Sequence, residues 1–154
     1  SYLWWHLMGC AIAFYKGPPT DDVWHIISHY AIRLWTWSKY SHAELVINGY
    51  CYSSSARDGG VRFKKIDLGS GRWDVIPVRG SPTEALWWFD QHKGQPYDWL
   101  NILRYLVPFI GQRNNRWVCF EAISAMLGLA GGHKLTGSDL YKWAMDCPVQ
   151  IHDF

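Results

Sequence analysis

Asn48-Gly49 stands between two strand-like runs, His42–Ile47 and Tyr50–Ser55, and no other feature constrains the fold of this chain as tightly. A two-residue hairpin turn needs positive φ at both central positions, which Asn and Gly adopt most readily. With these two as the turn, Ile47 faces Tyr50, Glu44 faces Ser53, and His42 faces Ser55. Side chains alternate along a strand, so His42, Glu44, Ser53 and Ser55 are expected on one face. Cys51 falls opposite Val46 and is expected to alternate away from His42.

Three further strands are expected. Cys10–Tyr15 (CAIAFY) is a short buried run ended by Gly17-Pro18-Pro19, and Val61–Ile66 and Trp73–Val78 flank the turn-rich Gly69-Ser70-Gly71. Asp22 can cap a helix in which Val23, Ile26, Ile27, Tyr30, Ala31 and Leu34 follow the helical period, ending near Trp37-Ser38. Ser81-Pro82-Thr83-Glu84 combines a capping serine, proline at the first helical position and glutamate at the third. The helix it opens carries Ala85, Leu86, Trp88 and Phe89 and stops before Gly94. Asp98 can cap another helix, ending before Pro108. After the polar loop Gly111–Asn115, Val118–Ala130 reads as a buried helix closed by Gly131-Gly132, and Ser138 as the cap of a last helix through Ala144. Strands first and helices after imply an α+β fold rather than a parallel α/β sheet. No repeat or long linker divides the 154 residues, so a single domain over 1–154 is expected.

Composition excludes several classes. Aromatic residues make up 17% and charged residues 18%, the reverse of a disordered chain. A formal charge of +2 provides little field for phosphates, so no nucleic-acid partner is expected. The most apolar stretch, Tyr2 to Tyr15, is broken by His6 and Gly9 and lacks a basic leader; neither a transmembrane segment nor a signal peptide is expected. Cys10, Cys51, Cys119 and Cys147 form no CxxC pair, which disfavours a zinc knuckle and points to free thiols.

Cys119 falls at the start of an apolar helix, just after a polar loop. A helix N-terminus favours a thiolate, the nucleophilic form, and offers amide donors for an oxyanion. The competing reading is a buried cysteine that packs as a small hydrophobe. His42, at the start of a strand, can reach a helix N-terminus packed on the sheet. Cysteine chemistry needs such a base and a third polar group to orient it, for which Glu44, Ser53 and Ser55 share its face. A structural or surface histidine is the alternative, and the pairing with Cys119 carries the functional reading.

The segments Tyr40-Ser41-His42-Ala43-Glu44-Leu45, Arg57-Asp58-Gly59-Gly60-Val61-Arg62 and Trp117-Val118-Cys119-Phe120-Glu121 together resemble the permuted NlpC/P60 superfamily. The likeness is greatest to the YiiX/YebB-like cysteine hydrolases and their bacteriophage versions. It runs from about Ala11 to Ala144, with the histidine and cysteine segments as its specific parts. Histidine precedes cysteine here, as in the permuted branch. The resemblance implies a circularly permuted papain-like fold, a small antiparallel sheet packed against helices including the cysteine helix, with Cys119 as nucleophile and His42 as base. The third position comes either from Ser53, Ser54 and Ser55, by analogy with the unpermuted family, or from Glu44, as in permuted relatives that use a carboxylate. Glu44 is preferred because serine orients imidazole weakly. Glu121 resembles the Cys-x-Glu of relatives, and equally suits the first turn of a helix.

The activity implied is a cysteine amidohydrolase or endopeptidase acting on an amide of bacterial peptidoglycan, with no metal or organic cofactor. The stem peptide is the implied partner. The phage-like character adds tail proteins and cell-wall degradation at entry, placing the chain in a virion tail or at the bacterial envelope or periplasm. The alternatives are a non-catalytic tail or envelope module that retains the fold, and a thiol-dependent lipid acyltransferase. Arg116-Trp117-Val118-Cys119-Phe120 departs from the Asn-Cys-x-His-Phe motif of the lecithin:retinol-acyltransferase-like enzymes.

Other signals are weaker. His25 and His29 have the spacing of a zinc pair, but Ile26 stands where HExxH has glutamate, and a solvated helix face is the favoured reading. Trp4-Trp5, Trp35-Trp37 and Trp87-Trp88 could stack on sugars or pack between layers. Adjacent tryptophans on a helix cannot both face the core, so one of a helical pair is expected outside. Arg57-Asp58-Gly59-Gly60 reads as a turn with a positive-φ glycine. Arg57 and Asp58 are candidates to line a cleft, with Glu121 and Trp117. Gly94-Gln95-Pro96-Tyr97-Asp98 is accounted for by a turn and a helix cap. Cys10, Cys51 and Cys147 read as structural.

Overall fold

The computed structural model describes residues 9–17, 39–100, 115–129 and 136–146. The helix expected after Asp22, with His25 and His29, lies outside the described residues. So do Trp4-Trp5, Trp35-Trp37, Gly131-Gly132, Cys147 and all of the Asp98 helix beyond Leu100.

Five strands form one antiparallel sheet: β1 (Cys10–Tyr15), β2 (His42–Ile47), β3 (Tyr50–Ser55), β4 (Gly60–Lys64) and β5 (Trp73–Val78), in the order β4-β3-β2-β1-β5. The described helices are α1 (Pro82–His92), α2 (Cys119–Met126) and α3 (Gly137–Asp146). The architecture is therefore mixed α+β. No helix among the described residues is long and apolar enough to cross a membrane.

The hairpin forms as its turn dictates. Asn48 and Gly49 take φ of 50° and 79°, and the register pairs Ile47 with Tyr50, Val46 with Cys51 and Leu45 with Tyr52. One face of β2 presents Ala43, Leu45 and Ile47 to the main core, where they meet Ile12 and Phe14 of β1 and Phe120 and Ile123 of α2. The other face carries His42, Glu44 and Val46, with a smaller cluster of Ala11, Ala13, Val46 and Cys51. Cys51 is thus on the His42 face. The expectation that it alternates away is corrected, because residues paired across strands always share a face.

β4 ends at Lys64, two residues short of the expected Ile66. Among the described strands it pairs with β3 alone, and its last pair, Lys64 with Cys51, lies one residue from the hairpin turn.

The helix caps explain the other boundaries. Ser81 Oγ accepts the Glu84 amide at 3.2 Å with Pro82 opening α1, and Gly94 follows its end at φ 82°. Trp87 is 66% exposed while Trp88 packs on the core, as a helical pair must divide. α2 stops at Met126, well before Gly131. Gly128 at φ 70° donates to Ala125 O and Leu129 donates to Ser124 O, the two bonds of a Schellman cap, so Gly128 is the terminator. In α3 the cap is Thr136 rather than Ser138. Thr136 Oγ1 accepts the Asp139 amide at 3.2 Å, and Asp139 Oδ2 accepts the Thr136 amide at 2.9 Å, a reciprocal box that starts the helix at Gly137.

Candidate active site

The start of β2 and the start of α2 meet at His42. Cys119 is the first residue of α2, and the chain leading to it is tied down at Trp117. The Trp117 amide donates to Pro96 O at 3.2 Å, and the Trp117 carbonyl accepts from Asp98 N at 3.2 Å and from Ser54 Oγ at 2.6 Å. Its indole Nε1 donates to Gln95 Oε1 at 2.7 Å. Glu121 Oε2 accepts the Val118 amide at 3.3 Å, supplying from the first turn the cap that a valine side chain cannot. These contacts aim the open end of α2 at the start of β2. Its first-turn amides, Cys119 among them, have no acceptor within their own helix.

His42 opens β2 and its side chain is about a quarter exposed. Its Nε2 lies 2.6 Å from Glu44 Oε1, and the ring also interacts with the Cys119 side chain. Burial opposes a charge on the ring. The Glu44 carboxylate and the bond to Cys119 outweigh that cost and raise its pKa to about 9.

Glu44 is fully buried. A buried carboxylate is tolerable only when it is paired and hydrogen-bonded, and here both conditions hold. Arg62 grips it with two parallel bonds, Nη1 to Oε2 at 2.7 Å and Nη2 to Oε1 at 2.6 Å. Burial pushes the carboxyl up, but His42 and Arg62 outweigh it and hold Glu44 below its ordinary 4.5. Arg62 is in turn held by Asp58, which accepts from its Nε at 2.7 Å and from Lys64 Nζ at 2.9 Å. Burial pushes Asp58 up, but the bonds and charges of Lys64 and Arg62 together outweigh it and bring it down to about 2.

The register explains how these charges meet. Ala13 pairs with both Val75 and Glu44, and Ser53 pairs with Arg62. The hairpin register, continued by one pair, sets Glu44 beside Ser53. The row across the sheet is thus Val75, Ala13, Glu44, Ser53, Arg62, with the carboxylate between two small residues. Arg62 reaches over Ser53 to Glu44 because serine leaves the room.

The candidate third groups are thereby separated. Glu44 meets the ring. Ser53 Oγ donates to Ala43 O at 2.7 Å and Ser54 Oγ to Trp117 O, and Ser55 is buried opposite Gly60. Arg57 is exposed on the turn between β3 and β4, and Asp58 faces the Arg62 guanidinium. Glu121 is engaged at the helix start and Trp117 at the segment before it.

Sequence reading missed two contributors. Arg62 was legible only as part of a motif, since the turn between β3 and β4 does not specify a register as Asn-Gly does. The segment 94–98 does more than turn. Gln95 O accepts from Val61 N at 2.9 Å, and an added Cβ at Gly60 would stand 2.0 Å from that oxygen. Only glycine, here at φ 147°, lets this segment bridge β4 to Trp117.

The other described thiols are in different surroundings. Cys10, Cys51 and Cys119 are all free, but burial pushes Cys10 up to about 11 and Cys51 up to about 12, and neither touches a histidine as Cys119 does. Among the described residues no group of three or more His, Cys, Asp or Glu side chains is placed to hold a metal ion. The arrangement can do one kind of chemistry well. A thiol can pass its proton to an imidazole whose positive charge is balanced by a fixed carboxylate.

No protein-family model matches the chain, and no curated protein matches it.

Proposed function

We propose that this chain is a cysteine amidohydrolase of the permuted NlpC/P60, papain-like type, cleaving an amide bond in bacterial peptidoglycan. The observation that carries the reading is His42 held between the Cys119 side chain and Glu44, 2.6 Å from the carboxylate. The resemblance of the His42 and Cys119 segments to that superfamily supplies the substrate class and the setting, a phage tail or the bacterial envelope.

In this mechanism Cys119 and His42 act as a thiolate–imidazolium pair, with the proton held on the ring, and the thiolate attacks the amide carbonyl carbon. The oxyanion accepts hydrogen bonds from the first-turn amides of α2. As the C–N bond breaks, the His42 imidazolium protonates the leaving amine, and a thioester remains on Cys119. His42 then takes a proton from water, the resulting hydroxyl attacks the thioester, and the carboxylic product leaves as the thiol is restored. Glu44 keeps the ring oriented and its charge balanced throughout.

Digestion of purified sacculi by the native chain and by Cys119→Ala, with fragments identified by mass, tests the reading. Fragments released only by the native chain would name the bond. Release by neither favours a non-catalytic module, and equal release by both removes Cys119 as nucleophile.

A further inference from the structure

We infer that Arg62 is a positioning residue of this site: it fixes Glu44 in the orientation that presents Oε1 to His42, and Asp58 fixes Arg62. The inference rests on reading Cys119, His42 and Glu44 as one reactive centre. It concerns a residue that neither touches the sulfur nor borders the ring.

The geometry has three parts. First, the Arg62 grip is bidentate, which determines the plane of the carboxylate and not only its charge. A single bond would leave Glu44 free to rotate about its last torsion, and Oε1 is shared between Arg62 Nη2 and His42 Nε2, each at 2.6 Å. Rotating the carboxylate away from Arg62 would therefore break the bond to His42 as well. Second, the guanidinium has no such freedom itself, because its remaining edge, Nε, is held at 2.7 Å by Asp58. Third, the small Ser53 side chain lies between Glu44 and Arg62 in the row across the sheet, and its hydroxyl is turned to Ala43 O, leaving the passage clear.

Among the described residues, the charged and titratable groups around the pair are Cys119 on α2, Cys51 on β3, Arg62 and Lys64 on β4, and Asp58 on the turn. Cys51 stays neutral in the working range, with its pKa pushed up to about 12 by burial. Lys64 reaches the site only through Asp58. Arg62 is therefore the one cation among these groups in direct contact with Glu44.

The test is the pH dependence of Cys119 alkylation by iodoacetamide, read peptide by peptide by mass spectrometry in the full chain. It needs no peptidoglycan substrate. The variants are Arg62→Gln, Arg62→Lys, Asp58→Asn and His42→Ala, with alkylation of Cys10 and Cys51 as the internal report of an intact fold. Without the clamp the imidazolium is less well balanced, so Arg62→Gln should need a pH about one unit higher for the same Cys119 rate, equal to a tenfold loss at fixed pH on the rising limb. Arg62→Lys, which keeps the charge but not the fork, should recover only part of that shift. Asp58→Asn should show a smaller shift in the same direction, and being exposed it keeps the question answerable if Arg62→Gln unfolds. A shifted Cys119 profile with Cys10 and Cys51 still protected supports the role. Profiles of folded Arg62 and Asp58 variants that overlay the native one, while His42→Ala slows Cys119, overturn the role of Arg62 alone. A His42→Ala rate equal to native overturns the reactive-centre reading and this inference with it.

Discussion

The two faces of β2 solve the problem of burial in opposite ways. Ala43, Leu45 and Ile47 enter the main core and need nothing but apolar neighbours. One residue out of phase, Glu44 is just as inaccessible, yet its burial is sustained by a chain of charges running through Arg62 to Asp58 and Lys64. On the first face, stability comes from the amount of surface removed from water and tolerates exchange of one apolar group for another of similar volume. On the second it depends on every partner being present, since a buried charge left alone costs far more than a lost contact. The candidate site residues of β2, His42 and Glu44, lie on the second face, beside the small cluster of Ala11, Ala13, Val46 and Cys51.

That contrast is sharpest at Glu44. Glu44→Ala removes both carboxylate bonds from the Arg62 Nη groups and the carboxylate from His42, leaving Arg62 with Asp58 alone, and should destabilise the chain by about 3–5 kcal/mol in urea denaturation. Replacing both Glu44 and Arg62 by methionine should recover most of that loss while abolishing selective alkylation of Cys119. If the double variant were as unstable as Glu44→Ala, the charges would not be the reason for the cost. On the apolar face Leu45→Ala should cost about 3 kcal/mol by the same measurement, from lost burial and a residual cavity. Here no second substitution at a polar site should compensate.

A smaller effect separates the faces by pH. His42 titrates at about 9 in the folded chain against an ordinary 6.5, so the stability it contributes is fully present below 6.5 and is lost as the pH rises through about 9. Glu44 has the opposite sign. Its folded value lies below 4.5, so its contribution is present above 4.5 and is lost as the pH falls through that depressed value. Urea midpoints should hold steady between about 4.5 and 6.5 and decline toward 9, and His42→Ala should lose the alkaline decline. An alkaline decline that persists unchanged in His42→Ala would mean that the ring is not charged in the fold. The smallest change is expected at Trp87, exposed on α1, where alanine should alter stability by less than about 0.5 kcal/mol; loss of peptidoglycan binding with stability intact would mark it as a contact surface.

Local chemistry made much of this legible in advance. The Asn48-Gly49 turn determined which residues of β2 and β3 pair, because only those two residues accept the required φ cheaply, and from that pairing Ser53 could be placed on the face that His42 and Glu44 share by alternation. Ser81 and Pro82 announced α1 for a similarly local reason. The start of α2 at Cys119 followed from the change of a polar loop into an apolar run. Its end did not, because two glycine signals competed and the cap went to Gly128, where Leu129 could close the Schellman bond. Thr136 was passed over for Ser138 because either residue can cap, and only the reciprocal contact with Asp139 distinguishes them.

By itself, then, the sequence determined the elements whose signals act within a few residues: the hairpin and its register, the strands beside it, the first-turn position of Cys119. Tertiary structure decided what depends on distant segments meeting. It set β5 beside β1, brought Gln95 against Gly60, seated Trp117 on Ser54 and laid Arg62 across Ser53 onto Glu44. The physical reason is the range of the forces involved. A turn or a cap is settled by the torsions and hydrogen bonds of four or five neighbouring residues, whereas the meeting of α2 with β2 is chosen by the burial of a whole core. No residue in either segment specifies it alone.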